Sequence, residues 1–252
     1  MNKKHLYAEL IDLAKKHFYD FSVAVNKINY ERKGILYSEM FFLYISSLKI
    51  QPKRIIESGR ARGQSTLILS TIFPKCEIIS IEHDQNSEDV KIAAQRLKNQ
   101  KNIKLLFGDA TKLLPEILEN GTSDIVLIDG PKEYKAIRLA LDILKFKNVK
   151  KVFIHDMLHG SPERNFLEKN IQSISCSDQP VIAKHTHKLD KNKKNLDKDI
   201  YFSNLTNYGY SLLCIHNLKN HSFIFLSLLS RIIQFNERIQ RKLNAVGKRQ
   251  PP

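Results

Sequence analysis

Between residues 50 and about 160 the chain alternates short β-rich runs with stretches of helical spacing, and this rhythm limits the fold more than any other feature. The runs are "RIIES" (54–58), "EIISIE" (77–82), "IKLLFG" (103–108), "DIVLID" (124–129) and "KVFIHD" (151–156). Helical stretches cover 64–73, 87–99, 111–119 and 133–145. Strands separated by helices of this length pair in parallel through right-handed crossovers, with helices on both faces of the sheet. The expected class is therefore α/β, a doubly wound and mostly parallel sheet.

In an open α/β sheet ligands bind beyond the carboxyl ends of the strands. Glu57, Glu82, Asp109, Asp129 and Asp156 close or follow the five runs and should gather along that edge. A single acid there also serves as an ordinary helix cap. Upstream, residues 1–49 read as helical, with Leu6, Leu10, Leu13 and Phe18 on one face and the apolar stretch "YSEMFFLYISSL" (37–48) packing on the sheet or covering its site. Downstream, the Lys-rich segment 184–199 reads as an exposed loop and "YGYSLLCI" (208–215) as a late strand, antiparallel in the expected sheet. The division is a helical segment 1–49, the α/β domain 50–217 and a basic amphipathic helix 218–252.

The first strand runs into "ESGRARGQST" (57–66), which fits ExGxxxGxST and not the GxGxxG of dinucleotide-binding loops, so NAD is disfavoured. Here the sequence resembles the class I S-adenosylmethionine-dependent methyltransferases, Rossmann-like enzymes, and among them the catechol and caffeoyl-CoA O-methyltransferase group. The likeness covers roughly residues 50–160. It implies S-adenosyl-L-methionine as cofactor. Gly59 and Gly63 allow a tight turn and close ligand approach, while the amides opening the next helix, near Ser65, offer a seat for the methionine carboxylate. Glu57 belongs to the same loop. Glu82 ends the second strand, where a carboxylate accepts both ribose hydroxyls, and the resemblance puts Asp109 and Ala110 at the adenine pocket and Asp129 beside the cofactor. The bland alternatives are a helix-entry turn for the glycines and solvated carboxylates for Glu82 and Asp109. Arg60 and Arg62 should avoid the sulfonium and point toward the cofactor carboxylate or an anionic acceptor, unless both are plain surface charges.

"LIDGPKEY" puts Asp129 at a strand end and Lys132 three residues on. In the resembling enzymes a lysine so placed takes the acceptor's proton, a role that requires its pKa to fall toward neutrality. Otherwise Lys132 is a first-turn lysine of a helix. "FIHDM" adds His155, a second base candidate, and Asp156. The metal-dependent relatives bind a divalent cation through the fourth-strand Asp and an adjacent Asp and Asn. Asp129 and Asp156 match, but Met157 replaces the Asn and is a poor ligand for Mg²⁺, so a divalent cation stays an open question. "YERKGILYSEMFF" (30–42) is the candidate lid.

Lys and Arg outnumber Asp and Glu by 41 to 26, a net charge of +15, which draws polyanions or anionic lipid or reflects a general compositional bias. Three scattered cysteines without zinc spacing fit a reduced, cytoplasmic setting, and the N-terminus reads as an amphipathic helix, not a signal peptide. The uncharged run 222–230 is too short to span a bilayer. The tail's Phe223, Phe225, Leu229, Ile232 and Ile233 would meet an anionic membrane surface at the inner face, form a homodimer seam, or pack on the domain. The reaction that the resemblance implies is O-methylation of a small hydroxylated acceptor; the absence of tryptophan, the Lys-rich loop, Arg60 and Arg62, and the similarity of "IDGPKEY" with "HD" to methyltransferases of sugar and polysaccharide pathways rank a carbohydrate or anionic saccharide first. Methylation of RNA or DNA, and a non-catalytic binding module of the same fold, remain as alternatives.

Overall fold

The structure is a computed structural model that describes residues 3–31, 34–121, 123–190, 211–216 and 223–247. Strands β1 Arg54–Ser58, β2 Glu77–Glu82, β3 Ile103–Phe107, β4 Asp124–Ile128 and β5 Val149–Ile154 match the five expected runs closely. Helices α3 Gln64–Ile72, α4 Glu88–Leu97, α5 Ala110–Glu119 and α6 Glu133–Ile143 lie between them. The sheet continues with β6 Ile174–Cys176 and β7 Leu213–His216. Its order is β3-β2-β1-β4-β5-β7-β6, parallel from β3 to β5, with β7 antiparallel to both of its neighbours. The class read from the sequence is the one found, a doubly wound, mostly parallel, Rossmann-like sheet with a late antiparallel strand.

Isoleucine-rich strands suit the interior of such a sheet. Ile55, Ile125, Leu127 and Phe153 face one core while Ile56, Val126, Ile128 and Ile154 face the other. Each such side chain contributes on the order of 1.5–3 kcal/mol by leaving water, so a register slip that traded faces would forfeit many of them. Local signals set the helix starts: the side chains of Ser87, Asp109 and Ser161 cap α4, α5 and α7 (Pro162–Asn170) by accepting hydrogen bonds from backbone amides.

Helices α1 Lys3–Val25 and α2 Tyr37–Ser47 close one face. Nearly all of α2 is buried, Tyr37 and Met40 through Leu43 completely. The expected lid is therefore largely a fixed wall. Its preceding loop is clamped as well, since Glu31 pairs with both Arg62 and Arg96 and the Gln64 amide donates to the Ile35 carbonyl at 2.9 Å.

The segment expected to be an exposed loop from residue 184 begins differently. Residues up to 190 complete α8 Pro180–Thr186 and a short 3-10 turn, His187–Leu189, and Thr186, Leu189 and Asp190 are buried. The reason is a distant partner: Asp190 accepts the amide of Tyr37 and so caps α2. Residues 191–199 fall outside the described residues, as does the 208–210 part of the expected late strand. The C-terminal helix α9, Phe223–Gly247, lies along α6, where Gln234 meets Arg138 and Glu237 meets the Tyr134 hydroxyl. Phe223, Leu229 and Ile233 pack on the core, but Phe225 and Ile232 stay exposed.

Candidate active site

The turn after β1 carries Gly59 at φ 83°, Ala61 at 42° and Gly63 at 73°. Each glycine answers a separate demand. A Cβ on Gly59 would sit 2.8 Å from the Gly130 nitrogen, so this glycine lets the β1 and β4 loops touch. A Cβ on Gly63 would press on Ala93 and Leu97 of α4, which makes Gly63 a packing residue outside the cavity wall. Beneath the turn Glu57 is fully buried and accepts hydrogen bonds from Thr66 at 2.5 Å and Ser80 at 2.8 Å. Burial raises its pKa, against the opposing hydrogen bonds of Ser65, Thr66 and Ser80.

Arg60 and Arg62 do not face an acceptor. Arg60 is buried, donating to the Ser80 carbonyl at 2.9 Å and the Leu106 carbonyl at 3.1 Å, with its guanidinium 4.6 Å over the Phe107 ring. It ties β2 to β3 below the loop. Arg62 bridges Glu31 and Asp89. Both serve the loop's architecture.

A cavity of about 930 Å³ is bordered at the carboxyl edge by Gly59, Glu82, Gly108, Asp109, Ala110 and Gly130 and runs on along α6, past Arg138, Asp142 and Lys145, to Arg231 of α9. Four of the expected cofactor residues, Gly59, Glu82, Asp109 and Ala110, thus meet at one cavity. Glu82 is fixed there because its two oxygens accept the amides of Ala61 and His83, each at 2.8 Å. Asp109 caps α5 through Thr111, and those hydrogen bonds lower its pKa. The Glu82 carboxylate is thus held by amides at the cavity edge, with the backbone of Gly59 and Gly108 beside it. Ser65 sits on α3 and Glu57 under the turn, neither on the cavity wall.

At the ends of β4 and β5 the charged residues form one cluster. Lys132 Nζ lies 2.5 Å from both Asp129 Oδ1 and Asp156 Oδ2. His155 Nδ1 is 2.7 Å from Asp129, and its Nε2 is 3.3 Å from Glu39 on α2. Asp156 adopts φ 59°, an uncommon conformation for a residue with a side chain. Glu39 escaped the sequence reading, although a lone acid inside an apolar helix was a usable signal. Its Oε2 also accepts the amide of Leu36.

This arrangement changes the expected chemistry. Burial lowers the Lys132 pKa, but the neighbouring Asp129 and Asp156 charges more than offset that and the net shift is upward. The condition for Lys132 as a free-amine base is not met. His155, despite burial, is held protonated by Glu39 and Asp129, well above the usual histidine range. Burial pushes Asp129 upward, yet His155 and Lys132 together hold it well below the usual carboxylate range.

Asp129, His155 and Asp156 bring donor atoms within 4.8 Å of one another, the expected place for a divalent cation. The donors do not fit one. An ammonium already lies between the two carboxylates, the imidazole holds its proton, and Met157 is buried in the core.

Residues 51–132, from just before β1 to the loop after β4, match a family model described as "Putative methyltransferase", in agreement with the resemblance seen in the sequence. The chain is similar to the O-methyltransferase TomG of Streptomyces achromogenes, involved in tomaymycin synthesis and solved with SAM, at 15% identity and a TM-score of 0.47 over 79% of this chain and 89% of that one. A methyltransferase from Podospora anserina bound to SAH gives 16% and 0.45 over 81% and 88%. A "putative caffeoyl-CoA O-methyltransferase" from Staphylococcus aureus gives 17% and 0.44 over 83% and 98%.

Proposed function

We propose that this protein is an S-adenosylmethionine-dependent O-methyltransferase acting on a hydroxylated small molecule. One juxtaposition supports the reading. Gly130 and Pro131 border the cavity, and Asp129 and Lys132, which flank them in the chain, belong to the charged cluster. A nucleoside seated against Glu82 and residues 108–110 would therefore lie beside a group of charges suited to an acceptor oxygen.

When bound, S-adenosyl-L-methionine supplies a methyl group on a sulfonium sulfur, and transfer to a hydroxyl oxygen leaves a neutral thioether. Glu82 would hold the ribose of the bound cofactor and the wall at Gly108–Ala110 its adenine, which would align the methyl group with an acceptor. Lys132, as an ammonium, donates to the acceptor oxygen, and the hydroxyl proton leaves to Asp156, the more exposed carboxylate of the pair. A polar acceptor, of which a carbohydrate is our first choice, suits a site whose reacting end is entirely charged.

The test is calorimetric titration with S-adenosyl-L-methionine, followed by transfer assays from labelled cofactor to monosaccharide, nucleotide-sugar and bulk RNA acceptors. Binding that is lost in Glu82→Ala, with transfer to a small hydroxyl compound, is the expected result. No binding by the parent protein would leave a non-catalytic module, and salt-sensitive transfer to RNA would replace the acceptor class.

The outer face of α9 supports a location at an anionic lipid surface of the cytoplasm. Ile224, Phe225, Leu228, Ile232 and Phe235 are each more than half exposed, and Arg231 flanks them. No helix among the described residues is long and apolar enough to cross a membrane. A net charge of +15 on each copy opposes pairing of this face with itself and favours an anionic bilayer. Sedimentation with vesicles containing phosphatidylglycerol, but not with phosphatidylcholine alone, is expected; a salt-independent dimer would reassign the face.

A further inference from the structure

We infer that Lys132 is a built-in cation standing in the place of a divalent metal, and that it suits the site to an acceptor presenting one hydroxyl, not a chelating pair. The inference rests on the methyltransferase reading above and goes beyond it.

Three observations converge on Lys132. Its ammonium is 2.5 Å from an oxygen of each carboxylate that a metal would bridge. Mg²⁺ needs oxygen contacts of about 2.0–2.1 Å in a near-octahedral shell, so metal and ammonium cannot share that space. The second concerns position: Lys132 is the N-cap of α6, where the helix dipole disfavours a positive charge. The two carboxylates compensate, and the left-handed backbone of Asp156 is a strained conformation held where one of them meets the ammonium. Third, the donors left for a metal are poor. His155 Nδ1 is engaged with Asp129, and Met157, where an oxygen ligand would be needed, is buried in the hydrophobic core.

A single ammonium differs chemically from a metal. It donates directed hydrogen bonds and offsets one developing negative charge on one oxygen. A six-coordinate cation gathers two adjacent hydroxyls at once, as a vicinal diol requires for chelation. The site is therefore matched to a lone hydroxyl, and turnover should not depend on added metal.

Electron paramagnetic resonance of Mn²⁺ added to the full-length, metal-stripped protein tests this without relying on turnover. Wild type and Lys132→Arg should leave Mn²⁺ free at concentrations where Lys132→Ala binds it. The gain should be roughly tenfold or more in affinity, because a positive charge has been removed from between two carboxylates. The gain should vanish in Lys132→Ala combined with Asp156→Asn. Wild-type Mn²⁺ binding that Asp156→Asn abolishes would overturn the inference, as would no gain in Lys132→Ala. Cofactor titration on the same samples separates the two claims: failure to bind S-adenosyl-L-methionine sinks the methyltransferase reading, whereas the Mn²⁺ result judges the lysine.

Discussion

Asp190 Oδ1 accepts the backbone amide of Tyr37 at 2.9 Å, joining a buried carboxylate to the start of a helix 153 positions earlier in the chain. The helix is α2, the wall that carries Glu39 to His155. Its own N-cap, Leu36, has no capping side-chain oxygen, so the distant aspartate supplies one. Asp190→Ala should therefore destabilise the protein by about 1–2 kcal/mol, the usual value of a lost cap, measured by urea unfolding.

Asp190→Asn keeps an acceptor oxygen and removes the charge, which separates capping from ionisation. Burial raises the Asp190 pKa from 3.8 to about 6. The native state thus holds that proton more tightly than the unfolded chain, and stability from this group falls as pH rises from about 4 to about 6. The asparagine variant should lose that component, seen as a smaller drop in Tm between pH 4.5 and 6.5 relative to wild type.

His216 gives the opposite slope. Buried in β7 with its Nε2 2.7 Å from the Ser175 hydroxyl, it has a pKa lowered by burial from 6.5 to about 3. The unfolded chain takes up the proton first, so stability contributed by neutral His216 is present above pH 6.5 and lost as pH falls toward 3. His216→Gln should flatten this acid limb. Thermal scans at pH 7.5 and 5 would refute the assignment if the two proteins lost the same number of degrees.

Much of this fold was legible because its signals are local. β1 and β2 fall on "RIIES" and "EIISIE" without a residue of error, since apolar and β-branched runs bounded by charge or turn residues leave little choice. The three-residue β6 had too little sequence to announce itself, and α7 and α8 lie beyond the regular alternation. The site was legible in its members more than in its contacts. Lys132, Asp129, His155 and Asp156 could all be singled out as candidates, but the charge states of Lys132, Asp129 and His155 depend on their neighbours, for His155 on Glu39, which only the folded chain brings near. Arg60 shows the same limit: its partners are carbonyls of two later strands.

Gly59 offers a graded test of loop geometry. A methyl group there would meet the backbone of Gly130 and Asp129 at 2.8 and 3.0 Å, with φ at 83°. Gly160, at φ 78°, has nothing within 4 Å of its added Cβ. Gly160→Ala should cost only the conformational penalty of about 1 kcal/mol, while Gly59→Ala should cost on the order of 3 kcal/mol because backbone must move. Equal losses in urea unfolding would mean that the β1 and β4 loops do not touch as closely as described.

The charge on His155 is the most direct readout of the cluster. Its raised pKa has two main electrostatic sources after burial is overcome, Glu39 first and Asp129 second. A group raised in this way stabilises the fold fully below pH 6.5, and that contribution is lost only as pH climbs through the higher native value. Glu39→Gln keeps a side-chain oxygen for the Leu36 amide and removes one negative charge facing Nε2. The His155 pKa should then fall, because one of the two carboxylates that favour the imidazolium has lost its charge. A nitrogen-15 titration of the histidine rings would follow it, with an imidazolium persisting through neutral pH in wild type and titrating earlier in the variant. An unshifted His155 signal would mean that the carboxylates at Nδ1, Asp129 at 2.7 Å and Asp156 at 3.4 Å, hold the proton without Glu39, leaving Glu39 as a cap for its own helix.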